Sequence, residues 1–366
     1  MTGRLRALAT HWTAVVPVLA IVLLVFTWGR QMPVYVVVIV TLVLAGSVLA
    51  AVHHAEVVAH RIGEPYGSLV LAVAVTVIEV ALIVTLMVDG GSKSATLARD
   101  TVFAAVMITC NGIVGLSLLI ASLRHRVAVF NREGAGAALA TVATLATLGL
   151  ALPTFTTSQS GPEFSPAQLT FAALSSVILY GLFVATQTVR HRDYFLPLTR
   201  HGEVIDSEEH ADRPSARLAA LSLALLALAL IGVVGLAKGV SPTIESGVDA
   251  AGLPQAVVGV VIALLVLLPE TLAAVRAAHR DRVQTSINLG LGSAMASIGL
   301  TIPAVAAASV WLPGPLILGL SPTHLVLLAL TVAVATLTVG PGRATPLQGG
   351  VHLVLVAAYL ELTVTP

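Results

Sequence analysis

Eleven runs of about 18–25 mostly apolar residues follow one another along this 366-residue chain. A bilayer core of roughly 30 Å needs about 20 such residues in a helix. The runs lie at roughly 13–29, 33–52, 66–88, 101–122, 134–152, 167–188, 216–237, 253–277, 285–309, 321–340 and 346–365. Composition agrees: the chain is 57% hydrophobic and 10% charged, where a soluble domain is about 25% charged. No water-soluble fold of this length could cover so much apolar surface. The expected class is therefore an all-α polytopic membrane protein of about eleven transmembrane helices. The runs are continuous, unlike the roughly ten-residue alternating segments of a β-barrel. The first run, near Trp12, lacks a small-residue cleavage site and is expected to stay as a membrane helix.

A net charge of +1 offers no field to steer a polyanion, so no nucleic-acid partner is expected. Cys110 stands alone, which excludes a disulfide framework or zinc ribbon. Basic residues set the orientation. With the N-terminus cytoplasmic, only Arg30, Lys93, Arg99 and Lys238 of the 19 Lys and Arg fall outside. Eleven spans then leave the C-terminus external. Trp12, Trp28 and Trp311 each fall at a span end, where indole prefers the interface. The longest polar stretch, about 190–215, carries Asp206, Glu208, Glu209 and Asp212 among Arg and His and is expected to be a cytoplasmic linker.

That linker leaves an extra N-terminal helix (1–32), a first five-helix repeat (33–189) and a second (216–366). The third run opens on Gly63-Glu64-Pro65 and the eighth on Gly252-Leu253-Pro254, and each leads to one glutamate, Glu79 or Glu270. The following runs align VMITCNGIVGLSLL from Val106 with NLGLGSAMASIGLT from Asn288, setting Asn111 opposite Ser293 and Gly115 opposite Ser297. Five spans are an odd number, so the two halves are expected to be inverted, as in many secondary transporters.

Of 18 acidic residues, only Glu79 and Glu270 lie deep within runs. A carboxylate at that depth costs several kcal/mol unless paired or neutralised. No Lys or Arg lies deep in any run, so the expected partner is a proton or a bound cation. Pro269 has no N–H to give the carbonyl of Leu265. Backbone oxygens freed inside a membrane are tolerated where they line a cavity, and a hard cation takes oxygen ligands. Thr76, one turn before Glu79, is the counterpart oxygen in the first half, and Asn111, Ser293 and Ser297 add neutral oxygens. His53, His54, His60 and Glu56 match no trusted metal spacing and are expected at a solvated helix end. His324, His352 and Glu361 are expected at the interface.

The phrases GEPYGSLVLAVAVTVIEVALI and LLPETLAAVRAAHRDRVQTSINLGLGSAMASIGLTIP resemble the two signature repeats of the calcium/proton antiporters. These belong to the calcium/cation antiporter superfamily, which includes the sodium/calcium exchangers. The resemblance implies ten core helices in two inverted halves plus one extra helix, in a multi-pass protein of a prokaryotic inner membrane. It implies that Glu79 and Glu270 bind the cation and the protons. Gly292-Ser293 fits the family pattern, whereas Cys110-Asn111 stands where many relatives have Gly-Ser. Two carboxylates balance one divalent ion or two protons, so exchange of cytoplasmic Ca2+ for external H+ is expected, with no resident cofactor. Exchange of Na+ or K+ for protons by the same acids is the alternative. No channel filter phrase and no intramembrane catalytic constellation is present, so an enzyme is not expected.

Overall fold

The computed structural model describes residues 2–30, 32–63, 66–90, 95–199, 203, 214–311 and 314–366. The acidic part of the linker (Asp206 to Asp212) and the Glu64-Pro65 phrase lie outside the described residues.

Among the described residues fourteen α-helices form eleven rods. The first three are α1 (Thr2–Thr27), α2 (Val34–Ile62) and α3 (Tyr66–Gly90). The fourth rod joins α4 (Leu97–Met107) to α5 (Val114–His125) through a π turn at Ile108–Ile113. Then come α6 (Arg132–Ala146), α7 (Pro166–Ala185) and α8 (Ala216–Ala250). The eighth rod is broken into α9 (Ala256–Val266) and α10 (Leu268–His279). The ninth joins α11 (Val283–Ala296) to α12 (Ile302–Ala308) through a π turn at Ser297–Thr301. The last two are α13 (Pro322–Val339) and α14 (Pro346–Val364). Among the described residues eight rods are long and apolar enough to cross a membrane by themselves, and α9 with α10 makes a ninth. Within α1 and α3 the described apolar stretches are Trp12–Thr27 and Val73–Val88.

Local sequence explains several helix starts. Ser165-Pro166, Ser321-Pro322 and Thr345-Pro346 each put a hydroxyl residue at the N-cap and proline in the first turn. Ser165 and Ser321 accept from the Gln168 and His324 amides, Thr345 donates to Gln348 Oε1, and proline has no amide to lose there. Asn131 caps α6 by accepting from the Glu133 and Gly134 amides at 2.9 and 3.1 Å. Two helices outrun their apolar runs. Helix α2 continues ten residues past position 52, to Ile62, because no breaker intervenes before Gly63. Helix α8 continues from 237 to Ala250 and carries Pro242 inside it.

The chain divides into two units. One comprises Met1–Asp89 and His210–Gly252, the other Gly90–Glu209 and Leu253–Pro366. In the first, α1, α2 and α8 pack against one another. His54 Nε2 lies 2.9 Å from the Thr13 carbonyl and ties α2 to α1. His53, Glu56 and His60 are exposed, so His54 alone of this cluster points inward. Among the described residues no three His, Cys, Asp or Glu side chains gather as a metal group.

In the second unit α5 and α14 approach backbone to backbone. A Cβ added at Gly115 would lie 2.7 Å from His352 Cβ, and one at Gly349 would lie 2.7 Å from the Leu119 nitrogen. Helix α11 packs against the π turn of the fourth rod, where a Cβ at Gly290 would sit 3.2 Å from Val114. A two-residue antiparallel ladder, β1 (Ala128–Val129) with β2 (Arg343–Ala344), joins the loops before α6 and α14.

Candidate functional site

Glu79 sits near the middle of the unbroken helix α3 and is 2% exposed. Thr76, three residues earlier and thus on the same side of the helix, is also buried. The second acid has a different backbone setting. The eighth rod bends by 53° between α9 and α10, and Glu270 falls in the first turn of α10, directly after Pro269. A straight helix from Pro254 would have set Glu270 in a helix interior. The break sets it at a helix N-terminus instead, where amides and the helix dipole favour negative charge. Leu265, whose carbonyl faces the missing proline amide, belongs to the last turn of α9. The Leu267 carbonyl accepts from both the amide and the hydroxyl of Thr271, at 2.9 and 2.7 Å. The interruption thus leaves the Leu265 carbonyl without an amide from Pro269 in the turn before Glu270. One oxygen of each acid, Glu79 Oε1 and Glu270 Oε2, is sealed from solvent.

The neutral oxygens divide. Ser297 is buried and opens the π turn of the ninth rod; Ser293, one turn earlier on α11, is partly exposed. A π turn breaks the regular backbone ladder and is common at functional positions. Asn111 also lies in a π turn, with 0% exposure. Its side chain is engaged within its own unit: Nδ2 donates to Thr331 Oγ1 at 2.9 Å, and Oδ1 lies 2.9 Å from His352 Nδ1. An amide oxygen only accepts, so His352 donates through Nδ1–H and uses Nε2 to accept from Thr338 Oγ1 at 3.1 Å. His352 has 0% exposure. The expectation of an interfacial His352 is therefore corrected, because the close approach at Gly115 and Gly349 draws this face of α14 inward. His324 is partly exposed and rests on Phe103 with a ring separation of 4.8 Å.

Two further features were not legible in the apolar runs. Asp100, in the first turn of α4, is 4% exposed and bridges Arg99 at 2.7 Å. Its Oδ2 also accepts from Thr96 at 2.8 Å, so its charge is balanced locally. Ser286 on α11 donates to the Ala274 carbonyl of α10 at 2.7 Å and lies 2.5 Å from Ser117 Oγ of α5. That chain of hydroxyls ties the helix bearing Glu270 to its two neighbours. Short polar residues at i±4 spacing inside an apolar run were the available signal.

The sodium/calcium exchanger protein family model matches residues 32–189 and 221–365. The chain is 48% identical over 376 residues to y4hA of Sinorhizobium fredii (strain NBRC 101917 / NGR234), covering 100% of both. It is 34% identical over 348 residues to the sodium-potassium/proton antiporter ChaA of Escherichia coli (strain K12), covering 94% of this chain and 93% of ChaA. Among solved structures it resembles YfkE with a TM-score of 0.71 and 16% identity, covering 98% of this chain and 99% of the other. The two matched segments leave out residues 190–220 between them. The chain belongs to the sodium/calcium exchanger protein family and is a multi-pass membrane cation antiporter.

Proposed function

We propose that this antiporter exchanges cytoplasmic Ca2+ for external protons by alternating access, with Glu79 and Glu270 each holding the cation or a proton. The observation that carries this reading is the pair of acids with solvent-sealed oxygens in an apolar helical protein. Glu79 and Asp100 are the buried acids among the described residues, and Asp100 already has Arg99; Glu270 is partly exposed, with its Oε2 sealed. Two carboxylates match one divalent ion or two protons, so neither loaded state carries a large uncompensated charge in the membrane. Thr76, Ser293, Ser297 and the Leu265 carbonyl are the accessory oxygens in this reading. Asn111 contributes through whatever lone-pair capacity its contact with His352 leaves.

A second reading, exchange of Na+ or K+ for protons by the same acids, is favoured by the 34% identity to ChaA. Proteoliposomes holding an imposed pH gradient separate the two. Adding Ca2+, Na+ or K+ singly should release the gradient with Ca2+. Release by Na+ or K+ alone would replace the first reading with the second, and release by none of the three would remove both.

The same proposal sets the N-terminus in the cytoplasm and the C-terminus outside, from the distribution of Lys and Arg. Eleven crossings, one for each rod, would leave the ends on opposite sides. A reporter fused after Pro366 should read external and one inserted near position 203 cytoplasmic. Finding both on one side would remove this topology.

A further inference from the structure

Two of the four basic residues assigned to the outer side line a single cleft. The cleft lies within the first unit, between the end of α1 and the later part of α8, and has a volume of about 720 Å3. That is within the range of roughly 300–1,000 Å3 typical of small-ligand sites. Arg30 and Lys238 line it, with hydroxyl residues Thr27, Thr243 and Ser246 and the indole of Trp28. Leu24 and Met32 supply apolar wall, and no Asp or Glu is among the described lining residues. The wall from α8 recurs at three- and four-residue steps from Gly235 to Ser246, so one helix face forms it.

Depth adds a second constraint. The apolar stretch of α1 ends at Thr27. Trp28 follows at once, is 62% exposed, and has the amphipathic character of a residue at headgroup level. The cleft therefore has its cations at the edge of the hydrocarbon and apolar wall beside them. Phosphate bonded to acyl chains satisfies both environments together; a soluble anion satisfies only the first.

We propose that the cleft between α1 and α8 binds the headgroup phosphate of an anionic phospholipid. Arg30 and Lys238 contact the phosphate, and the acyl chains lie along the exposed apolar side of α1. Basic pockets between membrane helices are suited to such headgroups. The lipid fixes the extra helix, α1, to α8.

The full-length protein in nanodiscs tests this, with phosphatidylcholine alone compared with phosphatidylcholine plus phosphatidylglycerol. Retained lipid is measured by mass spectrometry and thermal unfolding by fluorescence. Phosphatidylglycerol should be retained selectively and should raise the Tm of the wild type. Arg30→Gln with Lys238→Gln should weaken retention about thirtyfold and cancel the rise, while keeping the wild-type Tm in phosphatidylcholine. Arg30→Lys should keep both effects, and Arg217→Gln, at the far end of α8, should change neither. Equal retention of the two lipids by the wild type would overturn the proposal, as would unchanged retention by the double variant. In detergent, an equal rise in Tm from inorganic phosphate would identify a soluble anion as the occupant and also overturn it. The wild-type comparison stands even if the double variant fails to fold.

Discussion

Glutamine at either Glu79 or Glu270 should lower cation/proton exchange about a hundredfold or more, because it leaves the transported charge without one of its two counter-charges inside the membrane. The substitution keeps side-chain volume and most hydrogen-bonding capacity, so folding should survive and the loss should appear in transport. Everted vesicles with an acid interior provide the measurement: initial cation uptake, compared with matched protein levels and with variants at acids outside the proposed site. Gln at Glu361 and Asp at Glu56 should leave uptake close to wild type, since both residues lie toward helix ends. Near-normal uptake by Glu79→Gln or Glu270→Gln would remove the proposed site. Cation binding should also weaken as pH falls, because protons and the cation compete for the same two carboxylates.

The acids should not respond equally to shortening. Glu79 is held by a continuous helix, so Asp there withdraws the carboxylate by one methylene with no backbone freedom to recover it. Glu270 follows a break at Leu267 and stands in a first turn, where neighbouring carbonyls and amides can readjust. Glu270→Asp should therefore retain more exchange than Glu79→Asp. This asymmetry arises from Pro269, which has no counterpart beside Glu79.

The architecture was readable because lipid imposes a simple ruler: apolar runs of the right length, ended by proline, glycine or charge. All eleven rods occur where the runs predicted them. The ruler measures apolar length and is blind to helix continuation in polar surroundings, which is why the ends of α2 and α8 fell short. Pro269 flagged the break because a missing amide has a definite backbone consequence. The π turns at 108–113 and 297–301 had no such marker. His352 was misjudged for a related reason. Its position along α14 suggested shallow depth, but burial depends on which face of the helix meets α5, and Gly115 and Gly349 decide that together. Neither glycine reveals its partner in a single sequence. Asp100 was hidden differently, since an acid beside an arginine at a run boundary looks solvated until α4 is packed.

His352 should prove one of the most sensitive positions for stability outside the proposed cation site. It joins three helical rods through Asn111, Thr331 and Thr338, all of them buried. Leucine at this position would leave the Asn111 amide oxygen and the Thr338 hydroxyl each short of a partner, with no solvent to replace it. An orphaned buried polar group costs roughly 1–3 kcal/mol, so His352→Leu should destabilise the protein by about 2–5 kcal/mol. Glutamine can donate and accept along the same path and should cost about half as much or less. Replacing Asn111 and His352 together by leucine should cost less than the two single losses added, because each single change strands the other group. Thermal unfolding of the four proteins in one detergent would show this. A His352→Leu protein as stable as the wild type would mean that the network adds nothing to the packing of α5 against α14.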